Sequence, residues 1–171
     1  MLLFHKKGVS IMIGYVLLIT FAIIIGGVVY VWMSSYVPTE ALECPDGTSA
    51  FIKDVECKNV GGEYELVLNL SNNGRFAIDA YYLKVSENEE IKIGTEPVTE
   101  VISGAQSTSG GVIFFPGKIL EPGEEAPRSV FKLDKEAFLV EVTPIRYEVV
   151  ENKNRLVICG NAKTSETINC N

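Results

Sequence analysis

KKGVSIMIGYVLLITFAIIIGGVVYVWM, residues 6–33, decides what the rest of the chain must be. Two lysines and a glycine (Lys6, Lys7, Gly8) precede twenty-five residues, Val9 to Met33, that carry no charge. As a helix that run reaches roughly 37 Å, enough to cross a hydrocarbon core of about 30 Å with some tilt. Its many β-branched residues, including the Ile23-Ile24-Ile25 run, would weaken a helix in water. In hydrocarbon every unpaired backbone group is so costly that a helix is the only single-span solution. Pro38 ends it, because a residue before proline is pushed out of the α region. The prediction is a transmembrane helix over 9–37, preceded by a leader, 1–8.

Charge asymmetry sets the direction of crossing. Lysines on the short N-terminal side stay in the cytoplasm, so the C-terminal part lies outside. Tyr30, Trp32 and Tyr36 fall at the outer end, where amphipathic rings favour the interface. Gly14, Ala22, Gly26 and Gly27 permit close helix approach, although no GxxxG pair forms. From Glu40 onward the chain holds thirteen basic and twenty-two acidic residues, a net of −9. So acidic a domain argues against nucleic acid and anionic lipid as partners. All four cysteines, Cys44, Cys57, Cys159 and Cys170, lie in this part, where an oxidising exterior preserves disulfides. Four cysteines allow three pairings. We expect the local one, Cys44 with Cys57 and Cys159 with Cys170, each loop stabilising by roughly 3 kcal/mol in the chain-entropy model. Zinc is disfavoured: no CxxC exists and the sole histidine, His5, is at the other end of the chain.

An ordinary secretory signal has a shorter apolar stretch followed by a small-residue cleavage site. Here the stretch is too long, and Ser34-Ser35-Tyr36 makes a poor site, so we expect the helix to stay attached. Lys6-Lys7-Gly8 followed by Val9-Ser10-Ile11-Met12-Ile13-Gly14 resembles the class III signal of archaeal type IV pilin-like proteins. The resemblance implies cleavage by a prepilin peptidase on the cytoplasmic side, between Gly8 and Val9. It implies that the helix survives as a membrane anchor and later becomes part of a filament core. Ile11 stands where many haloarchaeal members carry proline. Ile13 stands where bacterial pilins usually place glutamate, a difference that points to archaeal relatives.

After a short hinge, 38–49, with a Pro45-Asp46-Gly47 turn, the pattern changes to short strands punctuated by turns. Expected strands are Phe51–Cys57, Tyr64–Leu70 with Tyr64, Leu66, Leu68 and Leu70 on one face, Ile78–Val85, Ile91–Ile93, Val112–Phe115 and Ser129–Leu133. Leu139–Thr143 and Ile145–Val150 read as one long strand with a break or bulge at Pro144. Arg155–Cys159 returns from it, and Ala162–Asn171 adds a last edge. Val98–Gly111 reads as a loop with weak edge pairing. Strands at this spacing, with no helical period, predict an all-β antiparallel sandwich over 50–171. Asn72-Asn73-Gly74 closing the second strand, and Leu120-Glu121-Pro122-Gly123-Glu124 before a later one, are similar to immunoglobulin-like domains of prokaryotic surface proteins. That resemblance implies an immunoglobulin-like fold and no particular function.

A search for chemistry finds none. Without a histidine in the outer domain there is no histidine-based triad or metal cluster, and no GxSxG, HExxH, Walker or calcium-loop motif occurs. The acidic runs Glu87–Glu90 and Glu121–Glu125 read as solvated turns. Asn69-Leu70-Ser71 is a glycosylation sequon, with Asn69 opposite Leu68 and Leu70. Of Tyr81 and Tyr82 we expect one ring in the core and one on the surface. The expectation is a non-enzymatic structural subunit without a cofactor, whose partners are prepilin peptidase, membrane lipid and copies of itself. The alternative is an anchored immunoglobulin-like binding or adhesion protein that never polymerises.

Overall fold

A computed structural model describes residues 6–36, 43–108, 110–117, 119–150 and 153–171. The chain divides into two compact units, residues 1–41 and 42–171. Among its described residues the first holds one helix, α1 (Lys6–Tyr36), which begins three residues before the predicted Val9. It ends two residues before Pro38, as the restriction on a residue preceding proline requires. Met12–Tyr36 is long and apolar enough to cross a membrane, and each of these residues is exposed. Three hydroxyls bond back to the helix's own carbonyls. Thr20 Oγ1 donates to the Leu17 carbonyl (2.9 Å), Ser34 Oγ to Val31 (2.9 Å) and Ser35 Oγ to Trp32 (2.7 Å). Such back-bonding removes the cost of a hydroxyl in an apolar medium. Trp32 and Tyr36, one turn apart, meet edge to face at 5.0 Å.

The second unit is all-β, with eleven strands among the described residues. They are β1 (Ala50–Val60), β2 (Glu63–Asn72), β3 (Ala80–Ser86), β4 (Glu96–Pro97), β5 (Val101–Ser103), β6 (Gln106–Ser107), β7 (Ile113–Phe114), β8 (Ser129–Leu133), β9 (Leu139–Val150), β10 (Lys153–Ile158) and β11 (Thr164–Thr167). One sheet has the order β1-β2-β8-β5; the other runs β10-β9-β3-β7-β6, with β11 also on β9 and β4 on β3. All pairs of named strands are antiparallel. The alternation read in β2 holds: Leu66, Leu68 and Leu70 are buried. They join Phe131 from β8 and Tyr81, Leu83, Val140 and Val142 from the other sheet in one core. The opposite face of β3 and β9 carries a smaller cluster of Ala80, Val112 and Ile145, flanked by Tyr82 and Phe114. Tyr81 takes the place in the main core, and Tyr82 is half-buried against the smaller cluster.

Three expectations need correction. Ile91–Ile93 is not a strand. The neighbouring edge of β3 is already taken by β4, which pairs Lys84 with Pro97 and Val85 with Glu96. The long strand does not break at Pro144: β9 keeps one register along β3, with Tyr81 opposite Pro144. Pro144 accepts a bond from Cys159 N–H at 2.9 Å, so its missing donor faces that same edge. There β9 changes partner from β10 to β11, and no ladder bond is lost.

The local cysteine pairing is the third. The bridges are Cys44–Cys159 and Cys57–Cys170. Cys57 lies well inside β1, and seven extended residues from Ala50 carry it roughly 23 Å along the sheet, out of reach of Cys44. The C-terminal tail instead runs beside β1, with Asn59 N–H donating to the Asn171 carbonyl (3.0 Å) and Asn171 N–H to that of Cys57 (3.3 Å). Each bridge spans more than a hundred residues, separations of 115 and 113. In the chain-entropy model a loop of that length contributes about 4.7 kcal/mol, more than a local loop would.

Candidate functional site

Two places carry the features singled out in the sequence: the N-terminal helix, and a pair of turns in the β unit. Lys6, Lys7, Gly8 and Val9 are all in the first turns of α1, so the Gly8–Val9 junction lies within helical backbone. Farther along, Gly14, Gly26 and Gly27 have open space where a Cβ would project. They leave flat places on an apolar surface, the feature that lets a second helix approach closely.

The turns meet at Asn72. Its side chain is fully buried and makes three hydrogen bonds. Nδ2 donates to the carbonyls of Phe76 (2.9 Å) and Leu120 (2.8 Å), and Oδ1 accepts from Gly74 N–H (2.9 Å). Its backbone takes two more, N–H to Glu124 (3.0 Å) and carbonyl from Gly123 (2.8 Å). Glu121-Pro122-Gly123-Glu124 is closed by Glu124 N–H to the Glu121 carbonyl (3.0 Å), with Gly123 at φ 81°. Pro122 then glycine at positive φ are the residues that a type II turn requires. At Gly74 a Cβ would lie 2.6 Å from the Gly47 carbonyl and the Ser49 amide, so the turn closes only with glycine there. The two motifs read separately in the sequence are thus one constellation. The contact joins residues 48 positions apart, and no local signal announces it.

The remaining candidates resolve into structural roles. Glu87 is paired with Lys135 (2.7 Å), and Glu125 with Lys53. The Glu121 amide is capped by Glu124 Oε2 (3.1 Å). Lys132 and Lys135 are held above the usual lysine range by the hydrogen bonds they donate to Glu63 and Glu87, and Glu56 below the usual carboxylate range by Lys58. All three are solvent-exposed, where ion pairs contribute little. Among the described residues no three histidine, cysteine or acidic side chains are gathered as a metal site. Asn69 lies mid-strand in β2, opposite Asp54, half-buried, with its Oδ1 covered and without a hydrogen-bond partner. A glycan there would have to leave from the middle of a paired sheet.

Tyr81 is strongly displaced. Burial pushes its phenol well above the usual value of 10, a rise only partly offset by a hydrogen bond with Ser129. Above pH 10 the unfolded chain loses this proton while the folded chain keeps it, so stability falls as pH rises. One such proton is worth about 1.4 kcal/mol per pH unit. We expect Tyr81→Phe to remove about 1.4 kcal/mol of the stability lost between pH 9 and 11, measured by urea denaturation across that range. An unchanged slope would remove Tyr81 as its source.

Comparison of this chain with known protein families, with curated proteins and with solved structures finds no match to any of them.

Proposed function

We propose that this chain is a structural subunit of an archaeal type IV pilus-like surface filament. The observation that carries the proposal is α1: from Met12 to Tyr36 every residue is exposed. So much apolar surface must be covered, by lipid before assembly and by copies of the same helix afterwards. The Lys6-Lys7-Gly8 edge supplies the second part. A prepilin peptidase cutting between Gly8 and Val9 removes the two lysines, whose side-chain charges would resist withdrawal of the helix from the bilayer. The freed helices then bury their apolar faces against one another in the filament core. The acidic β unit, an immunoglobulin-like sandwich in this reading, stays outside and coats it. Net charge keeps neighbouring coats soluble, while the bridges hold each one folded. The subunit needs no cofactor and performs no catalysis.

Shearing the cell surface tests this. A filament subunit leaves with the sheared, sedimenting fraction. An anchored binding protein of the same topology stays with the membrane, and that result would overturn the proposal.

A further inference from the structure

The order of the cysteines has a mechanical consequence. The chain leaves α1 and reaches the β unit just before Cys44, and the first strand it forms, β1, is an edge strand of its sheet. Tension arriving from the helix would pull on the Ala50 end of β1 and strip it from β2 one bond pair at a time. Unzipping a ladder in this way loads few hydrogen bonds at once. Both ends of this weak element are covalently fastened. Cys44, ahead of β1, is bonded to Cys159 at the end of β10, in the other sheet; Cys57, within β1, is bonded to Cys170 in the tail.

We propose that the two bridges form a redundant load clasp that keeps tension from the helix off the folded core. Together they close a covalent ring made of residues 44–57 and 159–170. Residues 58–158, which hold most of the core, form a loop attached to that ring and lie on no path between the helix and the C-terminus. Either bridge alone preserves this. With only Cys44–Cys159, load runs through 159–170; with only Cys57–Cys170, it runs through 44–57. That the load comes from a filament rests on the function proposed above; the force path rests on the bridges alone.

Single-molecule stretching of the full-length chain in detergent, with handles at its N-terminus and at Asn171, tests the clasp separately from the filament. The contribution of α1 is common to all forms. The oxidised protein should extend its β unit by no more than about 40 Å. Cys44→Ser with Cys159→Ser should stretch by about 45 Å in total, close to the parent's limit but at a lower force than any in the parent, as β1 peels up to Cys57. Cys57→Ser with Cys170→Ser should stay near 40 Å. Full reduction with dithiothreitol, or all four serines, should release about 450 Å, whether or not the unbridged domain resists. The clasp is overturned if either paired variant releases several hundred ångströms. It is equally overturned if the variant lacking Cys44–Cys159 stretches at no lower force than the parent. None of these outcomes depends on whether the chain polymerises.

Discussion

Replacing Ile23 with aspartate is expected to abolish filaments. Ile23 is near the middle of the apolar run and is 69% exposed in α1. A carboxylate at the centre of a membrane helix costs about 3 kcal/mol on insertion scales, a factor of roughly 100 in the insertion equilibrium. The rest of the span is uniformly apolar, so part of the population still inserts. Those molecules meet a second barrier. In a core of packed helices the same carboxylate lies against apolar side chains, with no cation nearby to pair it. We therefore expect at least a 100-fold fall in the sheared fraction, with residual protein in the membrane. Ile23→Leu, which keeps the apolar surface, should behave as the parent does. Immunoblotting of the two fractions measures both, and normal filament recovery with aspartate would show that this helix is not in the core.

The second large effect is expected at Asn72. Its amide joins the 72–76 turn to the 120–124 turn through bonds of 2.8–2.9 Å, in a place with no exposure to water. Asn72→Ala takes the partner from the Phe76 carbonyl and the Gly74 amide, each costing about 1–3 kcal/mol where water cannot substitute, and one of two donors from the Leu120 carbonyl, which keeps Ile78 N–H at 3.0 Å. We expect a loss of about 3–5 kcal/mol, a large part of the 5–15 kcal/mol that holds an average domain. For a unit of this size the midpoint of thermal unfolding should drop by roughly 10–20 °C. Asn73→Ala is the control. Asn73 is exposed, accepts only a local bond from Ser71 at 3.2 Å, and should change stability by less than about 1 kcal/mol. Equal effects at the two positions would mean that the buried amide is not the staple described.

How much of this was legible in the sequence depends on the range over which each feature is determined. The helix is specified by one continuous run, and β2 by the alternation of Leu66, Leu68 and Leu70, so both could be read directly. The Asn72-Asn73-Gly74 and Pro122-Gly123 turns could be read one at a time, because glycine and proline act on their own backbone. Their junction could not, since it depends on the sheet bringing distant residues together. The cysteines failed for the same reason. Proximity in sequence favours Cys44 with Cys57, yet an extended β1 carries them apart, and the tail that reaches Cys57 contains little pattern of its own. Ile91–Ile93 has strand composition but no free edge to join, and Pro144 has a strand-breaking side chain at the one edge position where nothing is broken. In the helix, the chemistry of Gly8–Val9 was read from the resemblance, while the backbone there is helical from Lys6 onward.

The intact mass of the chain recovered from sheared, purified surface filaments bears most directly on the proposal that this is a processed filament subunit. The expected mass is that of a chain from Val9 to Asn171 carrying two disulfides. A filament-fraction chain beginning at Met1 or Leu2, or a chain found only in the membrane with its N-terminus intact, would contradict it.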